Sequence, residues 1–191
     1  MLFYVASMIL VVLGLYVFLK TKKTYDRGEA LTIGTSLGWW ALDTVQCLLV
    51  ILASLYTVWP IPINEITGLI GGSVVLGVGV VAMLAGMIEF RSIRRTSGLD
   101  NSELVTTGIY RWSRNPQYLG WFLVLLGLSI IGGSGLAFFY TIIAIILFHF
   151  YITRMEEPYL ERIFGDEYLL YKERTPRYIG TRRGEPSNKY L

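Results

Sequence analysis

Two short clusters in this chain carry residue types that could do chemistry. The first, Arg114-Asn115-Pro116-Gln117-Tyr118, closes a polar, Arg-rich stretch over residues 104–120 and runs straight into an apolar helix. Asn115 suits a helix N-cap, and Pro116 suits the first helical position, where a missing N–H costs nothing. A helix start flanked by arginines attracts anionic groups. The second cluster is Arg154-Met155-Glu156-Glu157, at the far end of the next apolar segment. Its carboxylates suit a cation, and its arginine suits an anion. Each cluster also has a plainer reading. The first is then a loop with a helix cap, the glutamates are solvated first-turn residues, and the arginines mark topology and touch lipid headgroups.

The elements that must position these clusters are membrane spans. Of 191 residues, 53% are hydrophobic, and the mean hydropathy is +0.51, far above an ordinary soluble domain. The reading is all-α, with five spans at about 2–19, 37–59, 66–88, 117–131 and 136–152. The opening run has neither a basic stretch before it nor a small-residue cleavage site after it, so it is read as a retained span. Trp39, Trp40 and Trp59 sit near span ends as interfacial anchors. A polar tail follows, with apolar residues near helical spacing. It is read as an amphipathic helix on the membrane face, broken near Gly165 and ended before Pro176.

Charge sorts by side. Four Lys and Arg lie in the first loop, five in the third and eight in the tail, and the second and fourth links have none. The positive-inside rule then puts the N-terminus outside and the tail in the cytoplasm. The net charge of +3 comes from these segments and does not indicate nucleic-acid binding. The one cysteine, Cys47, permits no intrachain disulfide and suggests no Cys-based metal site. The Gly-rich turn at 132–135 makes spans four and five an antiparallel hairpin, which brings the two chemical clusters together.

Other residues have competing readings. Asp43 and His149 are ionisable residues at membrane depth, and such residues are functional candidates. Asp43 lies near a span end and could face water. His149 is about one turn before Arg154 and could touch acceptor or cofactor, or could hold a packing hydrogen bond. Glu89 could pair with a loop arginine. Gly77-Val78-Gly79 begins a formal dinucleotide fingerprint, but inside an apolar span and without a preceding strand it is rejected. Gly68, Gly72, Gly79 and Gly86 are read as close helix-packing positions.

Taken in order, Gly108-Ile109-Tyr110, Arg114-Asn115-Pro116-Gln117-Tyr118-Leu119-Gly120, Glu156-Glu157 and Phe164-Gly165-Asp166-Glu167-Tyr168 resemble the integral-membrane methyltransferases. That family includes isoprenylcysteine carboxyl methyltransferases and phospholipid N-methyltransferases. The resemblance covers residues 104–178. It implies S-adenosylmethionine as cofactor, held by Leu104, Val105, Gly108, Tyr110, Asn115, Pro116, Tyr118, Glu156 and Glu157. It also implies catalytic roles for Arg114, Arg154 and Glu157, and substrate contacts for Arg154 beside the candidate His149. Glu156 and Glu157 would pair with the cofactor ammonium, Arg114 or the Asn115 helix start with its carboxylate, and Tyr110 and Tyr118 with adenine or sulfonium. Methyl transfer needs no metal and rests on positioning and water exclusion. The acceptor would be lipid-like or amphiphilic, reacting through a carboxylate, an amine or a thiol.

One departure stands out. The family has histidine where this chain has Asn115. Asparagine can bind but cannot titrate near neutral pH, so a general base is excluded there. The implied organisation is one membrane domain. Residues 1–100 hold three spans, 101–180 the cofactor loop, hairpin and C-terminal helix, and 181–191 a flexible tail. An NADPH-dependent reductase of the sterol-reductase type and a non-catalytic membrane scaffold are the rival readings. Nothing in the sequence sets the oligomeric state.

Overall fold

The computed structural model describes residues 2–180, so the expected flexible tail at 181–191 lies outside the described residues. The chain is helical: α1 (Leu2–Asp26), α2 (Ile33–Leu55), α3 (Glu65–Glu89), a short α4 (Ile93–Thr96), α5 (Pro116–Gly132), α6 (Gly135–Tyr151), α7 (Glu157–Phe164) and α8 (Asp166–Arg174). A 3-10 turn at Gly108–Arg111 precedes α5, and a π-helical turn at Ile152–Glu156 joins α6 to α7. Among the described residues four helices are long and apolar enough to cross a membrane: α1, α2, α3 and the continuous helix Gly135–Phe164. The fifth apolar helix, α5, has 17 residues, about 25 Å at 1.5 Å per residue. This is an integral, multi-pass membrane protein.

Two boundaries differ from the sequence reading. α1 runs on to Asp26, because Lys20, Lys22 and Lys23 are good helix formers and Lys22 pairs with Asp26 at 3.1 Å. α2 starts and stops four residues early. The Thr32 side chain accepts from the Thr35 N–H and opens it, and at its far end Thr57 and Trp59 take positive φ, which a helix cannot continue.

α3 and α5 form the tightest pair. At Gly120 a Cβ would lie 2.4 Å from the Met83 backbone nitrogen; at Gly127 one would lie 2.6 Å from that of Leu76. Gly72 and Gly79 face them from α3, where a Cβ would meet α5 backbone at 2.7–2.8 Å. The predicted packing role of the span-three glycines therefore holds, since all four are buried. Gly77 faces open space, in keeping with the rejected dinucleotide fingerprint.

The hairpin between α5 and α6 turns at Gly133, with φ 53°. Ser134 caps α6 by accepting from the Ala137 N–H, and its hydroxyl donates to the Val58 carbonyl at 2.7 Å. Ile61 N–H donates to Gly133 O and Gly135 N–H to Trp59 O. The two links without Lys or Arg thus meet at one end of the bundle. At the other end, Arg162 donates to the Tyr25 and Asp26 carbonyls and caps α1. Tyr159 stacks on Tyr25 with ring centroids 4.1 Å apart. The C-terminal helix breaks at Gly165 (φ 53°) and ends at Thr175, before Pro176.

Candidate functional site

The hairpin brings the two chemical clusters together, as predicted, and the π turn sets what each residue faces. Tyr151, Ile152, Met155, Glu157 and Tyr159 are buried, whereas Arg154 is exposed on the opposite side. π turns of this kind widen a helix locally and are frequent at functional sites. Here two adjacent glutamates end in different environments.

Glu157 lies in a buried charge cluster. Arg177 Nε donates to Oε1 and Nη2 to Oε2, both at 2.8 Å. Arg114 Nη1 lies 3.1 Å from Oε1, and its other partner is the Tyr168 hydroxyl. A carboxylate forked by one guanidinium and touched by a second is fully paired. The hydrogen bond to Glu157 holds the Arg177 guanidinium above its usual pKa.

Among the described residues Glu156 has only the Tyr118 hydroxyl, donating at 3.3 Å to Oε1, while its Oε2 is buried with no hydrogen-bond partner. Burying an unpaired carboxylate oxygen is costly. Glu156 borders a cavity of about 220 Å³. Leu104, Val105, Tyr110, Arg114, Asn115 and Tyr118 border it too, together with Glu157. In its lining Tyr171 Oη donates to the Tyr110 carbonyl at 2.8 Å, and Gln117 Nε2 donates to Tyr110 Oη at 3.0 Å. Burial pushes the Tyr110, Tyr168 and Tyr171 hydroxyls well above their usual pKa, so they remain neutral donors.

Asn115 sits at the N-cap of α5, yet its side chain does not cap. Its Nδ2 donates to the Arg177 carbonyl at 3.1 Å, which Ser113 Oγ also reaches, and the Arg114 N–H donates to Pro176 O. Residues 175–178 are therefore strapped across the Arg114-Asn115 motif. This corrects the capping expectation: the amide is oriented by donating through Nδ2 to a carbonyl distant in sequence, and its side chain makes no cap bond to the first turn of α5.

Four expected site residues lie off the cavity. Gly108 (φ 53°) packs on the Glu89 carboxylate, with no room for a Cβ. Glu89 accepts from Thr107 Oγ1, not from a loop arginine. Pro116 is fully buried and packs toward Gly86. His149 is exposed, its Nδ1 lies 3.0 Å from Tyr178 Oη, and it is not among the residues that border the cavity. Arg154 faces outward because the buried face of the π turn passes through its neighbours. Sequence reading missed Arg177, which no local motif marks. Asp43, a candidate left open between a functional place and a water-facing one, borders the cavity.

The fold and this cavity meet in a family. The sequence profile described as phospholipid methyltransferase matches residues 67–167, more than half the chain, and the chain belongs to that family. Among curated proteins it is similar to protein-S-isoprenylcysteine O-methyltransferase of Rattus norvegicus, 34% identical over 98 residues, covering 50% of this chain and 34% of that protein. The Saccharomyces cerevisiae protein of the same name is 34% identical over 94 residues, covering 49% and 39%. Protein-S-isoprenylcysteine O-methyltransferase B of Arabidopsis thaliana is 28% identical over 123 residues, covering 62% and 58%. The match spans about a third of the length of the first of these relatives.

Proposed function

We propose that this chain is a membrane methyltransferase. It moves a methyl group from S-adenosylmethionine to a lipid-like or amphiphilic acceptor at the cytoplasmic membrane face. The observation that carries the reading is the buried, unpartnered Oε2 of Glu156, bordering a cavity built from the family motif. Such an oxygen calls for a cation, and the cofactor presents an ammonium. Bound there, the cofactor supplies an activated methyl on a sulfonium.

The chain's residues then divide the work. Glu156 takes the ammonium. Tyr110 and Tyr118 supply aromatic faces for adenine or sulfonium. Leu104 and Val105 wall the cavity against water. Arg114 and Glu157, locked to each other and to Arg177, shape the site without touching the reacting atoms. Asn115 positions the strap. Arg154 and His149 are assigned no catalytic or acceptor role.

The proposed topology has five crossings in one membrane domain, with the N-terminus outside and α7, α8 and the strap in the cytoplasm. The basic segments gather at that end, and the two links without Lys or Arg meet at the other. The short α5 crosses inside the bundle, packed along α3.

Calorimetric titration of the detergent-purified chain with S-adenosylhomocysteine, beside NADPH, tests the reading. Saturable binding of the homocysteine compound, weakened at least tenfold in Glu156→Gln, is expected. Binding of NADPH alone would move the chain to the reductases, and binding of neither would leave a scaffold.

A further inference from the structure

A second cavity, of about 430 Å³, lies between α8 and the loop before α5. Leu170, Tyr171 and Arg174 share one face of α8 at helical spacing and border it. Thr106 and Arg111 border it from the loop, and Thr175 from the end of the helix. Of its lining residues only Tyr171 also borders the first cavity, and the Tyr171 hydroxyl is committed to the Tyr110 carbonyl. The space is therefore separate from the proposed cofactor site.

Its charge runs the other way. Carboxylate residues outnumber arginines around the first cavity. Around the second, Arg111 and Arg174 stand against Glu167. Glu167 is in the first turn of α8 and Arg174 in the last, about 10 Å apart along the axis. Among the described residues neither arginine has a carboxylate within salt-bridge distance. Lys172 on the same helix pairs with Glu161, and Arg177 with Glu157. Arg174 Nε is buried without a hydrogen-bond partner. A buried carboxylate can shed its charge by taking a proton, but a guanidinium cannot lose one. This N–H therefore calls for an acceptor from outside the described residues. Thr106 and the buried Thr175 add hydroxyl-bearing side chains to the same lining.

We propose that Arg111 and Arg174, with Thr106 and Thr175, form a binding site for a phosphate monoester, the chemistry shared by an anionic lipid headgroup and free phosphate. The site goes beyond the methyltransferase reading and does not depend on it. A phosphate monoester carries close to two negative charges at neutral pH and several acceptor oxygens. It can engage both guanidinium groups at once, each through paired N–H groups, and accept from the threonine hydroxyls as well. A carboxylate has one charge to divide between two arginines. A choline phosphodiester brings its own cation and no net charge. The setting favours the lipid as source. The cavity is formed by basic segments of the chain, and Trp112, next to Arg111, is 65% exposed, as suits an indole at headgroup level. Arginines placed there meet anionic headgroups.

The test is calorimetric titration of the full chain in neutral detergent with dihexanoyl phosphatidic acid, inorganic phosphate and dihexanoyl phosphatidylcholine. Saturable binding of phosphatidic acid, at least tenfold tighter than that of phosphatidylcholine, is expected. Arg174→Gln and Arg111→Gln should each weaken it at least tenfold. Arg94→Gln, which removes an exposed charge off this cavity, should leave it within a factor of two. Arg111 is exposed, so its variant should keep the thermal unfolding midpoint of the unaltered chain, and its lost binding then reports the site and not the fold. Phosphatidic acid binding tighter than inorganic phosphate supports the site and assigns it to a membrane lipid. Inorganic phosphate binding as tightly or more so supports the site and assigns it to the soluble ion. No saturable binding of either, equal binding of phosphatidylcholine, undiminished binding in the Arg111 or Arg174 variant, or an equal loss in Arg94→Gln would overturn the proposal.

Discussion

Helix α5 belongs to two regions built on opposite principles. Along its length it is sealed to α3 by glycines on both helices, with backbone so close that a Cβ has no room. At its first turn it opens onto the cavity, where Asn115, Gln117 and Tyr118 face charged and aromatic side chains from α2, α6 and the tail. The seam contains no ionisable group and gains its stability from contact between small residues. The cavity side holds buried carboxylates, one fully paired and one not. The dry seam supplies a rigid edge against which the polar half can hold an unsatisfied group, as a preorganised site requires.

Substitutions that break this contrast should rank as follows. Gly120→Leu strikes the seam where the obstructing atoms are backbone, and should cost about 3 kcal/mol or more, read as a large fall in the thermal unfolding midpoint in detergent. Gly77→Ala, on the same seam helix but facing open space, should leave that midpoint unchanged or raise it, since alanine is favoured over glycine in helices by about 1 kcal/mol.

On the polar side, Glu157→Gln strands two guanidinium groups. Loss of one partner of a fully buried pair costs about 3–5 kcal/mol, and the effect here should fall below that range because the Arg177 side chain is 33% exposed. The same unfolding measurement reads it. Glu156→Gln should do the reverse, leaving the midpoint unchanged or raised while affinity for S-adenosylhomocysteine falls at least tenfold, about 1.4 kcal/mol. Equal destabilisation by both glutamate variants would erase the distinction between paired and free carboxylate.

Asn115→Ala should cost about 1 kcal/mol through its lost bond to the Arg177 carbonyl. Asn115→His should recover much of it, because an imidazole N–H can donate to the same acceptor. The smallest effects belong to Arg154→Ala and His149→Ala, both off the cavity, where calorimetry should find S-adenosylhomocysteine affinity within a factor of two of the unaltered chain.

Much of this architecture is decided locally and was legible in the sequence. Apolar runs set the helices, Gly133 the hairpin turn, Gly165 the break in the tail, and the spaced glycines of α3 announced a close neighbour. These follow from solvation and backbone sterics, which act over a few residues. The pairing of charges could not be read this way. Glu156 and Glu157 are adjacent and chemically identical, yet one is clamped by Arg177 and the other faces an open cavity. Arg154, two residues before, points away. Asn115 would cap its own helix on local grounds but binds a carbonyl 62 residues on. Which of two equal carboxylates stays free depends on helix phase at the π turn and on where the tail returns. Both are properties of the packed chain, and only the tertiary structure decided them.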